Sequence, residues 1–276
     1  MRIASWNVNS IRTRQSHLLN WLSTAEPDAV GLQETKVEDS LFPREAIEQA
    51  GYHCAISGQK SYNGVALLSR TPIEDVRIGF GALLPDDSEA EQLGEQRRVI
   101  SGWVEGVRVL NLYVPNGSSL DSDKYQYKLA WLACLRRYLE VQRQQGEPLC
   151  MVGDFNIGLE DRDLPDPARL NGTIMASTAE RDALRTCLGD DLRDAFRLFE
   201  PDGGHWSWWD YRSGGWNRDR GWRIDHLYIC EELQQRALRC QIHKEERGRE
   251  KPSDHAPVSV DLSDELPEDD GDELLF

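Results

Sequence analysis

Asn7 in SWNVN, Glu34 in LQETK, Asp154 and Asn156 in GDFN, Asp225 in RIDH, and Asp254 with His255 in SDHAPV each border an apolar run of strand length. A carboxylate leaving a buried strand needs a cation, a donor or water, so packing alone gives these residues little reason to be there. Gathered at one sheet edge, they would offer oxygen ligands to a hard cation, with a chargeable imidazole beside it. An oxygen-rich set with no paired cysteine favours magnesium, with manganese as a substitute, over zinc. Asp154 and Asn156 are two apart, so in extended backbone they face the same way. One can then move a proton while the other holds water or a phosphoryl oxygen, although the same Asp-x-Asn pattern also closes strands as a simple turn. His255 is the type of side chain most readily charged near neutral pH, and a buried Asp225 would fix its tautomer as an orienting carboxylate. Tyr113, just ahead of Pro115 and Asn116, brings a phenol and an amide to another strand end. Trp206, Trp208, Trp209 and Trp222 lie among Arg212, Arg218, Arg220 and Arg223. Such tryptophans fill core space, or with arginine they build a pocket for an extrahelical nucleotide or sugar.

The elements that must position these groups are short apolar strands alternating with a few amphipathic helices. Hydrophobic periodicity predicts strands over 3–8, 29–32, 64–69, 98–104, 107–114, 149–152, 206–209, 223–229, 237–242 and 257–262, and helices over 15–24 and 124–145. Gly146 and Pro148 close the longer helix. Many strands with few helices fit an α/β fold in which two mixed β-sheets lie face to face with helices outside, a four-layer α/β sandwich. No internal repeat is visible in the sequence, and the acidic stretch 86–95 reads as a surface loop.

The 276 residues suffice for one large domain, expected over 1–262, and no glycine-serine or proline-rich linker divides them. The N-terminal stretch MRIASWNVNSIR has neither a secretion-signal nor a membrane-span pattern, so the expectation is a soluble, cytoplasmic protein with no membrane partner. No exposed heptad marks an oligomer interface, so a monomer is expected. Six dispersed cysteines lack zinc-site spacing and read as buried reduced thiols. The net charge of −16 argues against a polyanionic partner until its distribution is considered: eight acids between Asp261 and Glu273 account for half of it. That run reads as a solvated, disordered tail over 263–276. Bases gather instead at Arg212 to Arg223 and at Lys244 to Lys251. Local sign steers a ligand into a cleft more than net charge does, so nucleic acid stays admissible.

Taken together, LQETK, YVPNG, GDFN, the WSWWDYR to GWRIDH stretch and SDHAPV are similar to the motifs of the exonuclease III family of apurinic/apyrimidinic endonucleases, in order from Met1 to about Leu262. The resemblance implies the four-layer sandwich, a need for magnesium or manganese, and cleavage of duplex DNA on the 5′ side of an abasic site. It also implies 3′ to 5′ exonuclease and 3′ phosphodiesterase or phosphatase action on blocked ends, in a prokaryotic-type, nucleoid-associated setting. By motif, Asn7, Glu34 and Asp254 would belong to the metal site, with Asp154, Asn156 and His255 as further ligands. Asp154 would activate water or protonate the leaving oxygen, Asn156 would position water, and Asp225 would orient His255 on the scissile phosphate. Tyr113 and Asn116 would hold that phosphate, and Lys36, Arg98 and Arg212 would bind DNA. Trp208, Trp222 and Ile224 would form the pocket for the flipped abasic sugar. Trp209 and Trp222 are bulky where family members vary, which leaves the balance of abasic cleavage and exonuclease action open. Relatives of the same fold hydrolyse inositol phosphates, sphingomyelin or RNA, so the fold alone does not choose the substrate.

Overall fold

A computed structural model describes residues 1–264 of the chain. In chain order the first half contains β1 (Arg2–Asn7), α1 (Ile11–Ala25), β2 (Ala29–Gln33), α2 (Arg44–Gln49), β3 (His53–Ser57), β4 (Val65–Ser69), β5 (Glu74–Ile78), α3 (Ser88–Gly94), β6 (Val99–Val104) and β7 (Val107–Tyr113). The second half contains α4 (Asp123–Gln144), β8 (Leu149–Asp154), α5 (Pro167–Leu170), α6 (Thr178–Leu188), β9 (Arg193–Asp194), β10 (Asp225–Ile229), α7 (Glu231–Arg236), β11 (Ala237–Ile242) and β12 (Val258–Leu262). Among the described residues the strands form two six-stranded sheets, ordered β11-β12-β1-β2-β4-β3 and β5-β6-β7-β8-β10-β9.

The layers follow from the two-residue period of the strands, which sends alternate side chains to opposite faces. Ile3, Ala29, Leu67, Val109, Cys150, Val152, Leu227, Val258 and Val260 pack together between the sheets. Their neighbours in sequence point outward: Ala4, Trp6, Val30 and Leu32 pack on α1 and α2, and Leu110, Leu112 and Met151 pack on α4 and α6. The result is helix, sheet, sheet, helix, the expected four-layer sandwich. Each sheet has one parallel pair closed by a crossover helix, β1-α1-β2 in one and β7-α4-β8 in the other. This internal pseudo-symmetry is absent from the sequence because it is one of pairing and not of residue type.

Several sequence expectations shift. The stretch 206–209 is not a strand; Trp208 makes single bridges to Trp222 and His255 instead. The acidic stretch 86–95 is mostly α3, which buries Ala90 and Leu93 and is capped by Asp87. Strands β3 and β5, at the sheet edges, escape detection because their partly exposed faces lack a clean alternation. The cysteines are free thiols, four of them buried and Cys54 and Cys230 half-buried. The tail expected over 263–276 lies, from 265 onward, outside the described residues. No helix among the described residues is long and apolar enough to cross a membrane.

Arg223, grouped in sequence with the surface bases, is buried. Its Nε donates to Asp163 at 2.8 Å and its Nη2 to Asp194 at 2.6 Å. Burial pushes both carboxyls up, but Arg223 and His226 outweigh it and hold Asp163 below the ordinary carboxylate range and Asp194 well below it. The pair's stabilisation is therefore present above the unfolded carboxylate pKa and fades as pH falls through the folded values. Removing one partner of a buried pair strands the others, so Arg223→Met is expected to cost roughly 3–5 kcal/mol in urea unfolding at neutral pH. The gap to the parent should narrow below about pH 4, where unfolded carboxylates protonate.

Candidate active site

The strand ends decide which side chains meet. Asn7, Tyr113 and Asp154 are the last residues of β1, β7 and β8, and Asp225 is the first of β10. In each of β1, β8 and β10 the polar residue continues the inward row, as in Cys150, Val152, Asp154. Parallel and antiparallel pairings bring these ends to one edge: Tyr113 lies opposite Asp154, and Asp154 opposite Asp225. The inter-sheet layer turns polar as it approaches that edge, where Gln33 donates to Asn111 at 2.6 Å and to Ser5 at 3.0 Å.

The loops are equally constrained. Glu34 follows β2 with φ of +50°, uncommon for a residue bearing a Cβ. Backbone bonds hold the turn: Ser10 N–H to the Glu34 carbonyl at 2.7 Å, and Lys36 N–H to Asn63 at 2.9 Å. In GDFN the glycine is required by space, since a Cβ at Gly153 would lie 2.0 Å from the Leu112 carbonyl oxygen. Asn156 takes φ of +49°, a conformation asparagine tolerates.

At the centre, Asn7 Nδ2 donates to Glu34 Oε1 at 2.9 Å and to Asp154 Oδ2 at 2.8 Å. Glu34, Asp154 and His255 place ligand atoms within 4.8 Å of one another. His255 presents Nδ1 to both Asp225 oxygens, at 3.0 and 2.9 Å, and Nε2 to Asp154 Oδ2 at 3.7 Å. Ser207 Oγ donates to Asp225 at 2.7 Å. Burial opposes charging of His255, but Asp225 and Asp154 outweigh it and hold its pKa well above the usual histidine range. Burial raises the Asp154 carboxyl; His255 opposes that rise and Asp225 and Glu34 add to it. Burial also works on Glu34, yet Lys36 at 2.7 Å and Asn7 hold it below the ordinary value. Tyr113 is pushed well up, by burial and then by Glu34.

The other expected residues fall into two groups. Asp254 stands beside the cluster with Oδ1 on Asn9 Nδ2 at 2.9 Å and Oδ2 on Trp208 Nε1 at 3.0 Å. The Asn156 side chain spans the Val114 carbonyl at 3.0 Å and Asn116 Nδ2 at 2.8 Å. Trp208 and Trp222 line a cavity of about 450 Å³ with Arg169, Arg218 and Arg220. Ile224 is buried at the base of β10 and is not among its lining residues, and neither is Arg212, which is exposed. Trp206 and Trp209 pack inside a small core with Ala256. On the other side of the cluster, Arg98 stacks its guanidinium 4.5 Å from the Tyr113 ring centre and lines a second cavity of about 510 Å³ with Asn116 and Lys124. A third cavity, about 590 Å³, contains none of these groups, so size does not mark the site.

Two residues outside the expected set join the site: Asn9 links Asp254 to Lys36, and Ser207 steadies Asp225. Asn9 carried a signal, being two residues beyond Asn7. Ser207 carried none, because its role arises from a loop meeting β10.

A half-buried and a buried carboxylate next to a carboxylate-backed imidazole are equipped to bind a phosphate and move a proton. A model of the Endonuclease/Exonuclease/phosphatase family matches residues 4–255. Exodeoxyribonuclease III of Haemophilus influenzae is 36% identical over 270 residues, covering 94% of this chain and 98% of that protein. Among solved structures, the 3′ phosphatase NExo from Neisseria, bound to a product DNA hairpin, superposes with a TM-score of 0.89 at 39% identity, covering 95% of this chain and 99% of that one. An AP endonuclease from Archaeoglobus fulgidus gives 0.88 at 35%, with coverage of 95% and 99%. The chain belongs to the endonuclease/exonuclease/phosphatase family and is a nuclease of its exodeoxyribonuclease III type.

Proposed function

We propose that residues 1–262 form a monomeric catalytic domain that hydrolyses duplex DNA on the 5′ side of abasic sites, and that the same centre trims 3′ ends and removes 3′ blocking groups. The observation that carries this reading is the meeting of the Glu34–Asp154 pair and the Asp225-backed His255 between two cavities, one of them walled by tryptophan and arginine. The similarity to a DNA-bound 3′ phosphatase and to an AP endonuclease supports it.

Glu34, half-buried, and Asp154, buried, are two carboxylates sharing one amide, an oxygen donor set that fits a hard divalent cation. They would hold magnesium, or manganese in its place, with Asn7 and Asp254 alongside. When bound, the ion supplies positive charge beside the phosphoryl oxygens and lowers the pKa of water. Asp154 takes the proton of the attacking water. The new bond forms at phosphorus as the bond to the 3′ oxygen breaks, and that oxygen takes a proton from solvent, leaving a 3′ hydroxyl and a 5′ phosphate. His255, Tyr113 and Asn116 donate to the phosphoryl oxygens, and Asn156 positions the water. Lys36, Arg98 and Arg212 contact the DNA backbone. Trp208 and Trp222, with Ile224 behind them, admit a sugar and refuse a base. Trp222→Ala is accordingly expected to raise the ratio of undamaged to abasic turnover by about tenfold, the scale of one pocket contact. The check is competition between the two substrates.

The test is incision of a duplex carrying one tetrahydrofuran abasic analogue, with magnesium and with a chelator, beside an undamaged duplex with a recessed 3′ end. Metal-dependent cutting just 5′ of the analogue supports the reading. Hydrolysis of an inositol phosphate with no cutting of either duplex would overturn it.

A further inference from the structure

Lys128 sits in the second turn of α4 with its ammonium fully buried, a position lysine almost never takes unless paired. Its three donors are all used: the Asn156 carbonyl at 2.8 Å, the Asn116 carbonyl at 3.2 Å and Glu180 Oε1 at 2.5 Å. The two carbonyls belong to the loops that follow β7 and β8. The side chains of the same residues bond each other, Asn116 Nδ2 to Asn156 Oδ1 at 2.8 Å. One ammonium thus pins the backbone of both residues to whose amides the proposed function gives the phosphate and the water.

Glu180 extends the clamp to a third loop. Its Oε1 also accepts the Met175 N–H at 3.1 Å, and its Oε2 accepts the Ser177 N–H at 3.0 Å and hydroxyl at 2.6 Å, which caps α6. Met175 is held at φ of +68°, and its Sδ lies 3.4 Å from Asn116 Nδ2. Strain of this kind persists where the surroundings over-determine it, and it collects at functional sites.

We propose that the Lys128–Glu180 pair is a positioning device for this reaction: it fixes the separation and aim of the Asn116 and Asn156 amides and raises turnover without touching DNA. The inference rests on the reading of those amides as groups that engage the reacting phosphate and water. A pair serving only the fold would lower stability and leave the rate per folded molecule unchanged.

Neutralising both partners with groups of similar size is commonly tolerated, so the test uses Lys128→Met/Glu180→Gln, alone and combined with Asn156→Ala. Three quantities are read: single-turnover incision of the tetrahydrofuran duplex at saturating enzyme, DNA affinity by anisotropy, and the NMR signals of the Asn116 and Asn156 side-chain amides in the free protein. Incision should fall about thirtyfold, with affinity within about threefold, and in the Asn156→Ala background the further loss should shrink below about threefold, the mark of coupled residues. Both amide signals should move. An undiminished rate in the folded variant, or an equal loss in the Asn156→Ala background, overturns the proposal. A parent that cuts no DNA overturns the nuclease assignment instead, and unchanged amide signals would then still dispose of the clamp. If the double variant does not fold, Lys128→Arg keeps the charge on Glu180 while displacing the two carbonyls. It should show the same split between rate and affinity, and an unaltered rate there counts equally against the clamp.

Discussion

Asp154→Asn is expected to slow incision by roughly 10²- to 10⁴-fold, the contribution of a positioned proton-transfer group, while DNA binding stays measurable. The side chain is buried, with Asn7 Nδ2 at 2.8 Å, the Asn156 N–H at 2.9 Å and His255 Nε2 at 3.7 Å. An amide of the same shape keeps the volume and one acceptor but has no basic oxygen to take a proton from water. Its fold should survive. Burial, with Asp225 and Glu34 nearby, raises the Asp154 pKa in the folded chain. Ionising it therefore carries a cost that grows as pH rises above the unfolded carboxylate pKa, and the neutral amide removes that cost. Urea unfolding of the same samples at neutral pH separates a lost rate from a lost fold. Single-turnover incision with anisotropy on the same samples decides the matter, and a rate within a few-fold of the parent would falsify the proton-transfer role.

The second large effect concerns a residue that need not touch DNA. Asp225→Asn is expected to lower incision by about 10²- to 10³-fold, the scale of losing one preorganised donor to a developing oxyanion. Both Asp225 oxygens face His255 Nδ1, and Ser207 Oγ secures one of them. The carboxylate is the leading support for the positive imidazole against the cost of burial. An asparagine there leaves one acceptor and no charge, so His255 loses both its fixed orientation and the stabilisation of its proton. Because the two residues act as a unit, Asp225→Asn/His255→Gln should be no slower than the slower single variant. Multiplied losses in the double variant would show that they act separately.

The sequence made the inward rows legible. Residues two apart in a strand share a face, so Cys150, Val152, Asp154 reads directly as an apolar row ending in a polar group, and Ile3, Ser5, Asn7 as a row growing more polar toward its end. The buried stripe of α4 from Tyr125 to Leu139 and the cap signal Ser177-x-x-Glu180 were open to the same reasoning. Lys128 within that stripe has no such signature, because a lysine at a helical core position gives no hint of which carbonyls will surround it. Arg223 misled for the same reason: placed among arginines in sequence, it belongs to a buried cluster with Asp163 and Asp194. Arg169, far from the tryptophans in sequence, lines their cavity.

What the sequence determined by itself was local: the strands, their faces, and the polar residues that cap them, since the two-residue period is set by covalent geometry and φ/ψ preference. Convergence came from the packing of the two sheets. Asn7 and Glu34 come from one sheet, Asp154 and Asp225 from the other, and His255 from the loop before β12. They meet because burying the apolar rows of both sheets against each other carries the polar ends of those rows to one shared edge. The pKa shifts arise there too, since burial and neighbouring charge depend on distances across chain separations such as the 147 residues between Asn7 and Asp154.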